Sequence, residues 1–137
     1  MSAETLDAAD ELDLSGDSAV EIVESIFTIT DATEEETSSD NGSGARVNLV
    51  FESDDVRFPI TVRFFTAYEP TDSTKNTDWV ARQRGQLKNV VKAATGEARL
   101  NTKNPDADNY IVGKQVRATT KDGGDGFATL GKFKKVA

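Results

Sequence analysis

Residues 45–69, ARVNLVFESDDVRFPITVRFFTAYE, contain two apolar runs that alternate with polar residues around a short polar turn. Alternation with a period of two is typical of a strand that buries one face. Pro59 has no amide hydrogen to donate to a ladder, so it marks the start or the edge of the second strand. The stretch therefore predicts two consecutive strands. Their apolar face is predicted to consist of Val47, Leu49, Phe51, Phe58, Ile60, Val62 and Phe64.

The residues before this pair predict one more strand and a hairpin loop. The run from Ile26 to Thr30 is β-branched or aromatic, which favours a strand. The run TSSDNGSG at 37–44 is dense in turn-forming residues and predicts a mobile hairpin loop. Val20, Ile22 and Val23 fit either a helical turn or a strand.

A single helix is predicted at about residues 78–95, where apolar residues recur at helical spacing. Thr77 or Asp78 can cap its start, and Gly96 stands where a left-handed C-terminal cap belongs. Trp79, at the beginning of this helix, is interpreted as a core anchor rather than as a ligand platform.

Two more strands are predicted after the helix, within 110–122 and 127–136, joined by a glycine-rich turn. The chain is therefore expected to be mostly β, with five strands and one helix inserted between strands 3 and 4. This is the layout of an OB-fold-like β-barrel, which commonly presents strands 2 and 3 to oligonucleotides. We expect residues 18–137 to form this domain. Residues 1–17 are acidic and poor in apolar groups, and are expected to be mobile.

Charge is divided unevenly along the chain. Residues 1–55 hold 16 acidic residues and one basic residue, whereas residues 56–137 hold 8 acidic and 15 basic residues. The formal charges are therefore −15 and +7, within a total of −8. Such asymmetry points to a polyanion or membrane partner more often than an even distribution does. The alternative interpretation is acidity that serves only solubility.

The absence of cysteine and histidine excludes several kinds of chemistry. Disulfides, thiolate zinc sites and cysteine nucleophiles need cysteine, and the usual general base near neutral pH is histidine. No Walker motif, dinucleotide fingerprint or EF-hand loop is present. We therefore expect no enzyme activity, no catalytic residue, no metal and no cofactor. No secretory signal or membrane-spanning run is apparent, so a cytoplasmic protein without a membrane partner is expected.

Cations interleaved with exposed aromatic residues predict a surface for single-stranded nucleic acid, because cations follow phosphates and rings stack on bases. Phe65 could instead pack under the helix, and the bases of the last hairpin could form an ordinary solvated face. The predicted binding residues are Arg46, Arg57, Arg63 and Phe65 on the outward side of strands 2 and 3, Tyr68 at the end of strand 3, and Lys114, Arg117, Lys121, Lys132 and Lys134 on the last hairpin.

Two segments resemble a known family. The pattern IFTITDATEEETSSDNGSGARVNLVFE at 26–52 is similar to the first hairpin of bacteriophage single-stranded-DNA-binding proteins of the OB-fold type, and YIVGKQVRATTKDG with FATLGKFKKV resembles their closing hairpin. The resemblance implies sequence-tolerant binding that supports phage DNA replication or recombination. Many family members carry an acidic C-terminal tail, whereas here the acidic segment is N-terminal and the chain ends in KFKKVA.

The leading hypothesis is therefore a non-catalytic protein that binds single-stranded DNA, with RNA also open. Its acidic N-terminal segment would compete with DNA or recruit replication or recombination proteins, and self-association is left open. The alternative is a virion structural or interaction protein, such as a scaffold or an inhibitor whose acidic residues mimic nucleic acid. A carboxylate-metal enzyme ranks last, because the acidic residues form no spaced constellation.

Overall fold

The computed structural model describes residues 22–124 and 127–136. The acidic segment 1–17 lies outside these described residues. In chain order the elements are β1 (Glu24–Ser39), β2 (Gly42–Glu52), β3 (Ile60–Pro70), α1 (Asp78–Thr95), β4 (Gln115–Asp122) and β5 (Ala128–Lys134). The fold is mostly β with one helix between strands 3 and 4, so the predicted fold class is confirmed.

The five strands form one antiparallel sheet in the order β3-β2-β1-β4-β5. The sheet curls into a half-barrel in which the edge strands β3 and β5 contact each other. Helix α1 packs against β3, β4 and β5. This arrangement is OB-like. The outward residues of β2 and β3 are half-buried or exposed along most of the two strands, whereas the inward residues are buried.

The core lies between the inner face of the sheet and the apolar side of α1. Phe27, Phe51 and Phe64 are its largest fully buried side chains. Burying a phenylalanine contributes roughly 1.5–3 kcal/mol relative to leaving it exposed, so these rings dominate the apolar stabilisation. The other buried apolar residues of the core cluster are Ile29, Val47, Leu49, Ile60, Val62, Leu87, Val90, Val91, Ile111, Val116, Ala118 and Leu130.

Three β-bulges interrupt the ladders. The register shifts between Ile29 and Asp31 on β1, between Phe65 and Ala67 on β3, and between Gly131 and Lys134 on β5. Each bulge moves the following residues of its strand to the opposite face, because side chains alternate along a strand.

On β5 the bulge contains Lys132 at a φ of 56°, in the left-handed region that residues other than glycine rarely adopt. Phe133 consequently packs against the core, with its ring centroid 5.8 Å from that of Phe51. Lys134 lies outward, opposite Arg117.

Several local predictions about strands were wrong. β3 begins at Ile60, as Pro59 indicates, so Arg57 and Phe58 lie in the preceding loop; Phe58 is 67% exposed rather than part of the core. The run 37–44 is not a loop, since the β1–β2 ladder continues to the pair Ser39 and Gly42. β4 begins at Gln115, five residues later than predicted.

The helix α1 has the predicted bounds and the predicted C-terminal cap. Gly96 has a φ of 86°, and its N–H donates to the Lys92 carbonyl oxygen. At the other end Thr77 is the N-cap residue but makes no capping hydrogen bond through its side chain. The side-chain oxygen of Asn76 accepts a hydrogen bond from the Asp78 N–H at 2.7 Å instead.

No helix among the residues at 22–124 and 127–136 is long and apolar enough to cross a membrane.

Candidate nucleic-acid interface

The bulge on β3 places Phe65 and Tyr68 on the same outer face of the sheet. Arg46 lies opposite Phe65 and Gly44 lies opposite Tyr68, whereas Thr66 is the additional residue between them. In a regular strand, residues three apart point to opposite faces. The bulge is therefore what brings these two predicted platform residues together, with their ring centroids 5.9 Å apart.

Helix α1 holds this bulge through two side chains. The Phe65 N–H donates to the side-chain oxygen of Gln83 at 2.7 Å. The guanidinium of Arg84 donates to the Thr66 carbonyl oxygen at 2.9 Å. These contacts satisfy backbone groups at the interruption of the ladder, which would otherwise cost free energy if they were shielded from water.

Phe65, Tyr68 and Trp79 form an aromatic cluster between β3 and the start of α1. Trp79 stands edge-on to Phe65, with centroids 5.2 Å apart, and is tilted against Tyr68 at 5.4 Å. All three residues are half-buried. Trp79 does not belong to the core cluster, so its interpretation as a core anchor was wrong. Phe65 was predicted either to lie outward as a binding residue or to pack under the helix. It does both in part, because it lies on the outer face and contacts the helix residue Trp79.

Glycines on β2 make room for the Tyr68 ring. A Cβ atom added to Gly42 would lie 2.5 Å from the Tyr68 hydroxyl oxygen. A Cβ added to Gly44 would lie 2.3 Å from the Ala67 carbonyl oxygen and 3.1 Å from the Tyr68 ring. Distances of 2.3 and 2.5 Å are sterically excluded. Glycine at position 42 therefore lets the Tyr68 ring lie against β2, and glycine at position 44 lets the β3 backbone approach closely.

The aromatic cluster lines a groove of about 590 Å³ between the β1–β2 turn and the start of α1. Two hydrogen bonds fix its rim: the Thr71 N–H donates to the Asn41 carbonyl oxygen at 2.9 Å, and the Thr71 hydroxyl to the Asp40 carbonyl oxygen at 3.0 Å. Lys75 and Asn76 also line it. The groove thus combines aromatic rings with a cation and polar side chains.

Asp72, on the same rim, is held in place by Thr74. The Thr74 hydroxyl and N–H donate to its carboxylate at 2.6 and 3.0 Å. These two hydrogen bonds lower the pKa of Asp72 below 3.8, so the carboxylate is charged at neutral pH.

Arg46 is not free on the outer face. Its guanidinium lies 5.9 Å from the Phe65 ring centroid and forms an ion pair with Glu35 on β1. Asn48 also donates to the Glu35 carboxylate, at 3.1 Å. The hydrogen bonds from Asn48 and Arg46, with a smaller attraction from Arg63, lower the pKa of Glu35 below 4.5. A ligand phosphate must therefore compete with a charged carboxylate for Arg46.

The remaining predicted cations are distributed over three parts of the domain. Arg63 is exposed on β3 opposite Asn48, within the field of Glu35. Arg57 lies in the β2–β3 loop with its guanidinium 5.2 Å from the Phe58 ring centroid. Five of these cations lie on or beside β4 and β5, namely Lys114, Arg117, Lys121, Lys132 and Lys134. The Lys134 ammonium nitrogen lies 3.9 Å from a carboxylate oxygen of Glu24. The structure therefore clusters Arg46, Arg63, Phe65 and Tyr68, and leaves the others apart.

The excess of negative charge in the sequence does not extend to the described residues as a whole. The acid-rich residues 24–55 form the two strands β1 and β2 within the sheet. The residues at 22–124 and 127–136 contain 16 acidic and 16 basic residues, so the net charge of −8 comes from residues 1–21 and Asp125. Among the described residues, no group of three or more acidic side chains is placed to hold a metal ion.

Sequence reasoning missed two contributors to the site. Trp79 was assigned to the core because of its helical spacing, and Gln83 carried no signal because its role depends on a bulge. The turn formers at 71–77 were the available signal that a loop faces the hairpin tip.

No protein-family model matches the chain, and no curated protein matches it.

Proposed function

We propose that this protein binds single-stranded DNA, without catalysis and without strong sequence preference, across the outer face of β2 and β3. The observation that carries the proposal is the aromatic cluster of Phe65, Tyr68 and Trp79 beside the Arg46 guanidinium. Every base has a π face, so such a cluster stacks on bases of any sequence. The OB-like fold supports the proposal, because this fold often presents the same face to oligonucleotides.

The polar surroundings are suited to the sugar–phosphate backbone of a single strand. Arg63 extends the cationic surface along β3, and Lys75 extends it at the groove. Positively charged side chains beside a row of rings can follow phosphates while the bases stack. A role in phage DNA replication or recombination would follow from the family resemblance, and RNA is bound by the same chemistry.

The acidic N-terminal segment belongs to this proposal as a regulator. Residues 1–17 contain six acidic residues and no basic residue. Tethered to the domain, these charges compete with DNA for its cations and thereby discourage non-specific binding. Replication or recombination proteins that carry basic surfaces are the partners such a segment would recruit.

A gel-shift experiment with a short oligonucleotide tests the proposal. The protein should retard single-stranded oligonucleotides of mixed and of homopolymeric sequence at low salt. This retardation should weaken as the salt concentration is raised. An absent shift would favour the alternative class, a virion or interaction protein. A shift with duplex DNA but not with single strands would contradict stacking as the binding mode.

A further inference from the structure

A second groove lies beside the aromatic cluster, on α1, and we call it the α1 groove. It has a volume of about 380 Å³, and the exposed Ala98 and half-buried Leu100 contribute apolar surface to it. The core residues Leu87 and Val91 also line it, but they are almost completely buried. Arg84 and Lys88 are exposed at its rim. Because Arg84 also donates to the Thr66 carbonyl oxygen, this groove adjoins the bulge that positions Phe65.

Gly85 lines the α1 groove without a side chain. It lies in the interior of α1, is exposed, and has no heavy atom within 4 Å of the position that a Cβ would occupy. Glycine disfavours helix in such a position, and alanine would fit there without a clash. The fold therefore gives no reason for glycine. Close approach of another segment of the chain to the helix backbone does give one.

The sequence contains a segment whose chemistry complements this groove. Residues 1–21 carry seven acidic residues and no basic residue, together with Leu6, Leu12 and Leu14. Carboxylates suit the cationic rim, and leucines suit the apolar surface. A chain of this length spans up to roughly 70 Å, so it can reach any face of a domain of this size.

We propose that residues 1–21 dock in the α1 groove of their own chain. Leucine side chains occupy the apolar part, and acidic residues pair with Arg84 and Lys88. Docking there holds the remaining carboxylates beside the aromatic cluster, which gives the N-terminal segment a defined place from which to compete with DNA. This regulatory consequence rests on the proposed function, whereas the docking itself does not.

The docking is tested without nucleic acid. The chain contains no cysteine, so Ser15→Cys provides a unique thiol for a nitroxide spin label on the full-length protein. Paramagnetic broadening of backbone amide signals in NMR spectra is then mapped at low salt. We expect selective broadening at Gly85, Lys88 and Leu100. Broadening centred on Phe65 and Arg46 instead would overturn the proposal, as would uniform or absent broadening.

A pair of charge variants provides the control. Lys88→Glu, at the rim, should abolish the selective broadening, and Arg82→Glu, exposed on the same helix but outside the groove, should preserve it. Equal effects of the two variants would overturn the assigned site. Mixing spin-labelled protein with unlabelled isotope-enriched protein distinguishes copies, and broadening in that mixture would show docking between chains and contradict the intramolecular proposal. Failure of DNA binding would leave all of these results unchanged.

Discussion

Phe65 and Tyr68 lie three residues apart on β3, yet their rings meet on one face with centroids 5.9 Å apart, because Thr66 is a bulge. Gln83 and Arg84 from α1 hydrogen-bond to the backbone at this bulge. The helix therefore contributes to the outer face in two ways. It supplies Trp79, and it holds the strand irregularity that aligns the other two rings.

The first expectation concerns stacking by Tyr68. Tyr68→Ala removes a half-buried ring from the cluster and should weaken binding of a single-stranded oligonucleotide by roughly 1–3 kcal/mol, the usual contribution of one stacked base. Tyr68→Phe keeps the ring and should bind nearly as well as the unmodified protein. Equilibrium titration with a fluorescent oligonucleotide measures both variants.

Phe65→Ala should weaken binding by a similar amount, with some loss of stability because Phe65 also packs against Trp79. If Tyr68→Ala and Phe65→Ala both bind normally while remaining folded, the β2–β3 face is not the site.

The second expectation concerns two glycines in different surroundings. Gly44→Ala introduces a Cβ that would lie 2.3 Å from the Ala67 carbonyl oxygen, so the free energy of unfolding should fall by roughly 1–3 kcal/mol. Gly85→Ala meets no neighbour and should raise it by roughly 0.5–1 kcal/mol through helix propensity. Urea denaturation followed by circular dichroism measures both. Equal effects would mean that the β3 backbone at Ala67 does not approach Gly44 as described.

The third expectation concerns competition for Arg46. Glu35→Gln removes the carboxylate that pairs with Arg46, and should raise affinity for single strands at low salt up to several-fold. Hydrogen bonds from Asn48 and Arg46 lower the pKa of Glu35 from its ordinary value, so the carboxylate is charged at neutral pH. The ion pair is consequently present at neutral pH and is lost only as pH falls through the lowered pKa.

The lowered pKa of Glu35 also determines how the affinity for single strands depends on pH. Because the pKa is lowered, affinity should not change through Glu35 near neutral pH, and a change should begin only as pH falls toward the acidic pKa of this carboxyl group. In Glu35→Gln the gain should disappear at high salt, where screening weakens both contacts. A gain that persists at high salt would refute competition between charges.

The fourth expectation concerns the acidic segment. Replacing the six acidic residues of 1–17 with their amides removes its charge without shortening the chain. Affinity for a short single strand should increase at low salt, with faster association, and the increase should vanish at high salt. Stopped-flow fluorescence measures the association rate. Unchanged affinity at low salt would show that the segment is only a solubility tail.

Sequence patterns predicted the strands and the helix because local periodicity reports burial. Val47, Leu49 and Phe51 alternate and are buried, and the helix ends at Gly96 as its conformational freedom indicates. Phe58 continued the same alternation but lies before β3 and is exposed, since the ladder begins only after Pro59.

The bulges could not be predicted in this way, because they depend on tertiary contacts. Alternate residues of a regular strand point to the same face. Without a bulge, Lys132 and Lys134 would therefore lie on the same face as the core residue Leu130. The bulge at Lys132 avoids this. In the same way the meeting of Phe65 with Tyr68 depends on Thr66, whose backbone is bonded by a helix residue 18 positions away in sequence. The site residues were identifiable by type, but their grouping was not.

The most direct test of the central claim is the salt dependence of binding between the full-length protein and a fluorescent oligothymidine, followed by fluorescence anisotropy. If Arg46, Arg63 and Lys75 together neutralise two to three phosphates, the logarithm of the binding constant should fall with the logarithm of salt concentration with a slope of about −1.4 to −2.1. Quenching of Trp79, the single tryptophan of the chain, should accompany binding. Absence of binding at low salt, or an affinity that does not change with salt, would contradict the account.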